Sequence, residues 1–182
     1  MNNAIGGVEL NSLARGFEVA DAMLKISRVE LILSRSICPG KFIILVGGDV
    51  ADVNSSVEAG AAKSAHALVD QFVIPNIHPE IFPAIAGGVQ VERLDAMGII
   101  ETFSAASLIE AADAAVKAAD VKLLEIRLAM ALGGKAFVTM TGSVAAVESA
   151  VAAGAAVAGK RGLLVDRVVI AQPRQELLRE ML

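Results

Sequence analysis

Cys38 is the single cysteine of the chain, and its side chain is the one best suited to holding a metal. Thiolates are the ligands of zinc and of iron–sulfur clusters. One thiolate per chain can form neither an intrachain disulfide nor a single-chain thiolate cage, so any cysteine-rich site needs symmetry. A lone cysteine is ordinarily a small buried hydrophobe. Cys38, however, stands in Ser36-Ile37-Cys38-Pro39-Gly40, and a Pro-Gly loop tip between strands presents a side chain rather than burying it.

Other residues could carry chemistry and are better explained without it. His66 lies in an alanine-rich stretch near Lys63, and His78 lies in a proline-rich segment; both read as surface or interface side chains. The carboxylates Glu9 and Glu101, and Asp21 and Asp113, occur as matched pairs along the chain. Duplication points to structural roles, since an asymmetric catalytic site needs one copy. Gly47-Gly48-Asp49 and Gly133-Gly134-Lys135 match neither a Walker loop nor a GxGxxG fingerprint. No Ser-His-Asp set or acid–base pair assembles, and no enzyme is read.

The formal net charge is −4, with no block of lysine or arginine, which removes the electrostatic footprint of a nucleic-acid binder. Although 55% of residues are hydrophobic, charges such as Lys41, Asp49, Lys135 and Glu148 interrupt every stretch that could span a bilayer. The first residues lack the pattern of a secretory signal, so a cytosolic location is expected. So much apolar surface in small domains is expected to be buried between subunits as well as within them.

The elements that position Cys38 follow from an internal repeat. Ala4-Ile5-Gly6-Gly7-Val8-Glu9 aligns with Ala96-Met97-Gly98-Ile99-Ile100-Glu101, and Glu18 to Lys25 with Glu110 to Lys117. Val29, Leu31 and Arg35 fall on Val121, Leu123 and Arg127. After a two-residue gain, Gly40-Lys41 pairs with Gly134-Lys135, Gly48-Asp49-Val50 with Gly142-Ser143-Val144, and Val69 to Ile74 with Val165 to Ile170. Each copy reads strand, helix, two strands, helix, strand. In the first, Leu13, Phe17, Ala20 and Leu24 make a helical stripe behind a Ser12 N-cap. Val29 to Arg35 and Lys41 to Val46 read as strands on either side of a tight loop, Ser36 to Gly40. Asp49 is expected to cap a second helix with the apolar face Val50, Val53, Val57 and Ala61. This order is that of a split βαβ, ferredoxin-like α+β layer. The chain then holds a first domain at residues 1–86, a linker at 87–95 and a second domain at 96–182.

The Asp-Ala-x-x-Lys helix end, the Gly-Lys opening a strand, the Gly-Asp-Val or Gly-Ser-Val helix start and the later Ala-Gly together resemble the domains of bacterial microcompartment shell proteins. Two unpermuted copies resemble the tandem-domain, trimer-forming members, and Ser36 to Lys41 resembles those of propanediol-utilisation compartments. The resemblance implies two BMC domains per chain and a homotrimer that mimics a hexamer. It also implies tiling with other shell proteins around encapsulated enzymes, redox enzymes among them. By the same resemblance, Ser36, Ile37, Cys38, Pro39 and Gly40 line an axial pore together with Ala131, Leu132 and Gly133 of the second copy. Lys25 and Lys117 resemble lysines at tile edges.

Three-fold symmetry would bring three Cys38 thiolates around one axis. A body diagonal of a 4Fe-4S cube is a three-fold axis, so three cysteines suit three equivalent irons and leave the fourth iron site open. Such clusters normally take four thiolates, so the fourth position would take water, a small thiol or a partner's ligand. The resemblance implies one cluster per trimer and electron transfer across the shell. Zinc held by three thiolates and a water is an alternative, and so is an unoccupied pore that conducts metabolites.

Overall fold

A computed structural model of the chain describes residues 3–87, 89–129 and 133–177. The chain divides into two compact units, Met1–Ile77 and His78–Leu182. The first contains β1 (Ala4–Leu10), α1 (Leu13–Ile26), β2 (Glu30–Ile37), β3 (Lys41–Gly48), α2 (Val50–Ser64) and β4 (Leu68–Pro75). The second contains α3 (Ile81–Ala86), β5 (Ala96–Thr102), α4 (Ala105–Ala118), β6 (Val121–Leu128), β7 (Ala136–Gly142), α5 (Val144–Lys160) and β8 (Leu164–Ile170).

Each unit is an antiparallel four-stranded sheet, in the orders β2-β3-β1-β4 and β6-β7-β5-β8. The two sheets repeat the expected ferredoxin-like layer, and helices cover one sheet face in each. In the first unit Val8, Phe42, Ile44 and Val46 of the strands share one core with Val19 and Met23 of α1 and Val53 and Val57 of α2. Glycine sets how close the second helix lies to the central strand. A Cβ on Gly6 would stand 2.5 Å from Val53 Cγ1 and 2.6 Å from Val57 Cγ2. Gly98 repeats the approach, its Cβ position lying 2.7 Å from Val151 Cγ2 and 2.8 Å from Val147 Cγ1.

The helical stripe of α1 has the right period, but most of it does not face the core. Leu13, Phe17 and Leu24 are 46%, 69% and 38% exposed, while Gly16, Val19, Ala20 and Met23 are buried. Small residues face the sheet because the aromatic ring of Phe42 already fills the space under α1: a Cβ on Gly16 would come within 2.4 Å of its Cδ1. On α2 the buried face is Val53, Ser56, Val57, Gly60 and Ser64, so Val50 and Ala61 stand outside it.

The caps divide by residue type. Ser12 accepts from Arg15 N, Ser104 from Ser107 N and Ser143 from Ala146 N. Asp49 occupies the N-cap of α2 with extended backbone angles, but its side chain makes no cap hydrogen bond. The helix is closed there by Val53 N donating to Asp49 O at 2.9 Å.

Sequence spacing suggests a first domain ending at residue 86, whereas the units divide after Ile77. The reason is local: α3 packs on β6 and α4. Leu123 N donates to Glu80 Oε2 at 3.1 Å, and His78 N donates to Asp113 Oδ1 at 2.8 Å. Residues 89–95 stay with the second unit too, through Val89 N to Leu124 O and the burial of Leu94 beside Met97 and Leu124.

Candidate functional site

The β2–β3 hairpin carries Cys38 at its tip. Ile37 pairs with Lys41, so the turn is Cys38, Pro39 and Gly40, shorter than the five-residue loop read from composition. Gly40 has φ +69°, and a Cβ there would meet nothing within 4 Å. Glycine is favoured at this position by backbone conformation, since space is open around it. The Cys38–Pro39 peptide bond is cis. Cys38 is a free thiol of intermediate burial, Pro39, Gly40 and Ser36 are exposed, and Ile37 is 5% exposed with its side chain buried.

The base of the hairpin is tied to the central strand. Lys41 Nζ donates to Glu9 Oε1 at 2.6 Å, and the Glu9 side chain is 10% exposed. The second copy repeats the bond, with Lys135 Nζ on Glu101 Oε1 at 2.6 Å. The duplicated carboxylates are thus partners of the lysines that open β3 and precede β7. Arg35, opposite Ile43 on β2, has its guanidinium pKa pushed down by burial. Its Nε has no hydrogen-bond partner among the described residues. The equivalent Arg127 pairs with Glu125 at 2.6 Å and lies 5.3 Å from the centroid of the Phe137 ring.

In the second copy Gly133 and Gly134 turn with φ of 60° and 89°. Ala131 and Leu132, expected to share the pore, lie outside the described residues, as does Met130. Lys25 and Lys117 lie in the last turns of α1 and α4, each bound to a carboxylate one turn back, Asp21 and Asp113, at 2.6 Å. His66 is exposed in a short 3-10 turn. His78 is half-buried, with its ring Nδ1 accepting from Glu80 N at 3.4 Å.

Among the described residues no group of three or more His, Cys, Asp or Glu could hold a metal ion. A single chain therefore offers Cys38 alone as a soft ligand, displayed at a turn. The ion pair at the hairpin base is the feature that composition did not reveal. Its signal was present, because Glu9 and Lys41 are both repeated at matched positions.

Residues 4–77 and 96–173 match the BMC domain model. The chain is 45% identical over 181 residues to the bacterial microcompartment shell protein PduT of Citrobacter freundii, covering 100% of this chain and 98% of that protein. It is 44% identical over 84 residues to the bacterial microcompartment shell protein EutM of Salmonella typhimurium, covering 46% of this chain and 85% of EutM. It is also similar to the crystal structure of a microcompartments protein from Desulfitobacterium hafniense, with a TM-score of 0.94 and 55% identity over 97% of this chain and 98% of that one.

Proposed function

The chain belongs to the BMC-domain family of bacterial microcompartment shell proteins, and from that premise we propose that it works as a trimeric tile in which Cys38 of each subunit binds a 4Fe-4S cluster at a central pore. It is a shell protein of the PduT type, located in the microcompartment shell and associating with other shell proteins. No catalytic role is assigned to it. The cluster and the trimer are the parts of this reading that go beyond the family.

One observation carries the proposal: the only cysteine of the chain is a free, part-exposed thiol at a three-residue turn. The donor chemistry fits an iron–sulfur cluster, which takes thiolates. Three subunits would supply three Cys38 ligands, leaving one iron to water, a small thiol or a partner's side chain. When bound, such a cluster supplies a one-electron couple, suited to electron transfer across the shell to or from encapsulated redox enzymes. Lys41 and Glu9 hold the base of the hairpin that presents the thiol, and Gly40 lets the chain reverse directly behind it.

Anaerobic purification followed by iron and sulfide analysis tests the reading, run beside Cys38→Ser. The expected result is broad absorption near about 400 nm with about one cluster per trimer, lost in the variant. A colourless, iron-free trimer from the anaerobic preparation would favour the alternative, a tile whose open pore conducts metabolites. The measurement is clean at 280 nm, because the chain contains neither Trp nor Tyr.

A further inference from the structure

We infer that Asp21, Leu24 and Leu31 of the first copy form a docking surface for residues 174–182 of a second molecule of this chain. The inference rests on the trimeric reading and names a contact that would join one subunit to the next.

The two copies act as controls for each other. In the second copy the edge made by α4 and β6 is covered by the segment His78 to Ala86. Asp113 accepts from His78 N at 2.8 Å and Glu80 accepts from Leu123 N at 3.1 Å. Asp113 and Val116 are each 8% exposed, and Leu123 is 0% exposed. The matching residues of the first copy are open: Leu24 is 38% and Leu31 43% exposed, and the Asp21 side chain is 62% exposed against 11% for Asp113. Phe17, at 69%, continues this apolar face, where its counterpart Ile109 is at 0%.

The covering segment is itself repeated. His78-Pro79-Glu80-Ile81 begins four residues after Ile74, as Arg174-Gln175-Glu176-Leu177 begins four residues after the matched Ile170. Glu80 falls on Glu176, Ile81 on Leu177, and Ile85 on Met181. Glu180 stands in place of the buried Ala84, so the match is one of anchor residues and not of the whole helix. In a single chain Glu176 pairs with Arg174 at 2.6 Å, with side chains 64% and 84% exposed. Such an exposed pair contributes little, so the Glu176 carboxylate can instead accept from the backbone N–H of Leu31, as Glu80 accepts from that of Leu123.

The segment after the first copy covers the second copy. By the same rule the segment after the second copy covers the first copy of another molecule, a head-to-tail contact of the kind that closes into a ring. The apolar residues left open on α1 and β2 would be buried in that contact.

Sedimentation and native mass spectrometry of the full chain test this, beside a chain lacking residues 176–182, Leu31→Asp and Glu176→Ala. The deletion keeps Gln175 and its bonds to the backbone of Leu94. Circular dichroism checks that each variant is folded. The expected result is a trimer for the full chain and a subunit affinity weakened by about tenfold or more for the deletion and Leu31→Asp. Glu176→Ala should shift affinity in the same direction by less. A trimer undiminished in the folded deletion variant would overturn the docking surface and leave the trimeric reading standing. A full chain that stays monomeric at every concentration would overturn both.

Discussion

Lys41 Nζ lies 2.6 Å from Glu9 Oε1 and so binds the first residue after the Cys38 turn to the central strand of its sheet. Glu9 is nearly buried, so removing the lysine leaves a carboxylate with little water and without the counter-ion that Lys41 supplies. Lys41→Ala should cost the first unit about 1–2 kcal/mol, discounted for the partial exposure of the lysine. Lys135→Ala should cost less, because the Glu101 side chain is 28% exposed against 10% for Glu9. Urea unfolding of the two variants gives the comparison, and an equal or reversed loss would contradict it.

The helix caps make a second contrast. Ser104 accepts from Ser107 N, while the Asp49 side chain makes no cap bond. Ser104→Ala should therefore destabilise by about 1 kcal/mol. Asp49→Ala should lose only the helix-dipole interaction, about 0.5 kcal/mol. Thermal unfolding in parallel decides it, and a larger loss for Asp49→Ala would count against the cap assignment.

Gly6→Ala tests the close approach of α2. The new methyl would meet Val53 and Val57 inside ordinary contact distance, and both valines are buried with stiff β-branched side chains. Overpacking of this kind costs about 1–3 kcal/mol. Gly40→Ala, with open space around it, should cost about 1 kcal/mol from its left-handed backbone alone. Equilibrium unfolding separates the two, and a neutral Gly6→Ala would mean that α2 can slide.

The topology was legible from the duplicated motifs because strand and helix periods repeat with the same punctuation in both copies. The facing of α1 was not. Of the expected stripe Leu13, Phe17, Ala20 and Leu24 only Ala20 faces the core, beside Gly16, Val19 and Met23, because hydrophobicity alone selects the larger side chains. The buried set is the smaller one because Phe42 occupies the volume beneath the helix, a contact between segments far apart in sequence. The extent of the hairpin turn and the attachment of residues 78–86 were hidden for the same reason. Pairing of Ile37 with Lys41, and of Glu80 with the edge of β6, depends on partners that no local pattern names. The display of Cys38 at a hairpin turn was legible, since Pro39 and Gly40 punctuate the chain between two strand-like runs.

Glu18 gives a prediction in pH. Lys63, at 2.8 Å, and then Arg15 hold its carboxyl below the ordinary glutamate range. A folded pKa lower than the unfolded one contributes stability above the unfolded value, and that contribution is lost as pH falls through the folded value. The carboxyl is solvent-exposed, so the tie between α1 and α2 should weaken only modestly in acid. Carbon NMR should find Glu18 titrating below its ordinary value, and Lys63→Met should move the midpoint up. An unchanged midpoint in Lys63→Met would show that the ion pair does not form in solution.

Cys38→Ser separates holding the fold from holding a ligand. The thiol sits at a turn outside the core clusters, so the substitution removes almost no buried apolar contact. Surface changes of this kind alter stability by about 0.5 kcal/mol or less. Metal-free Cys38→Ser should therefore unfold within that margin of the metal-free parent chain, compared by urea titration under reducing conditions. A ligand that binds only the folded, assembled protein adds stability through mass action. With iron and sulfide reconstituted, the parent chain should gain thermal stability that the serine variant lacks. A large loss in the metal-free comparison would instead make Cys38 a packing residue, and its place at the break in the repeat would then need a structural cause.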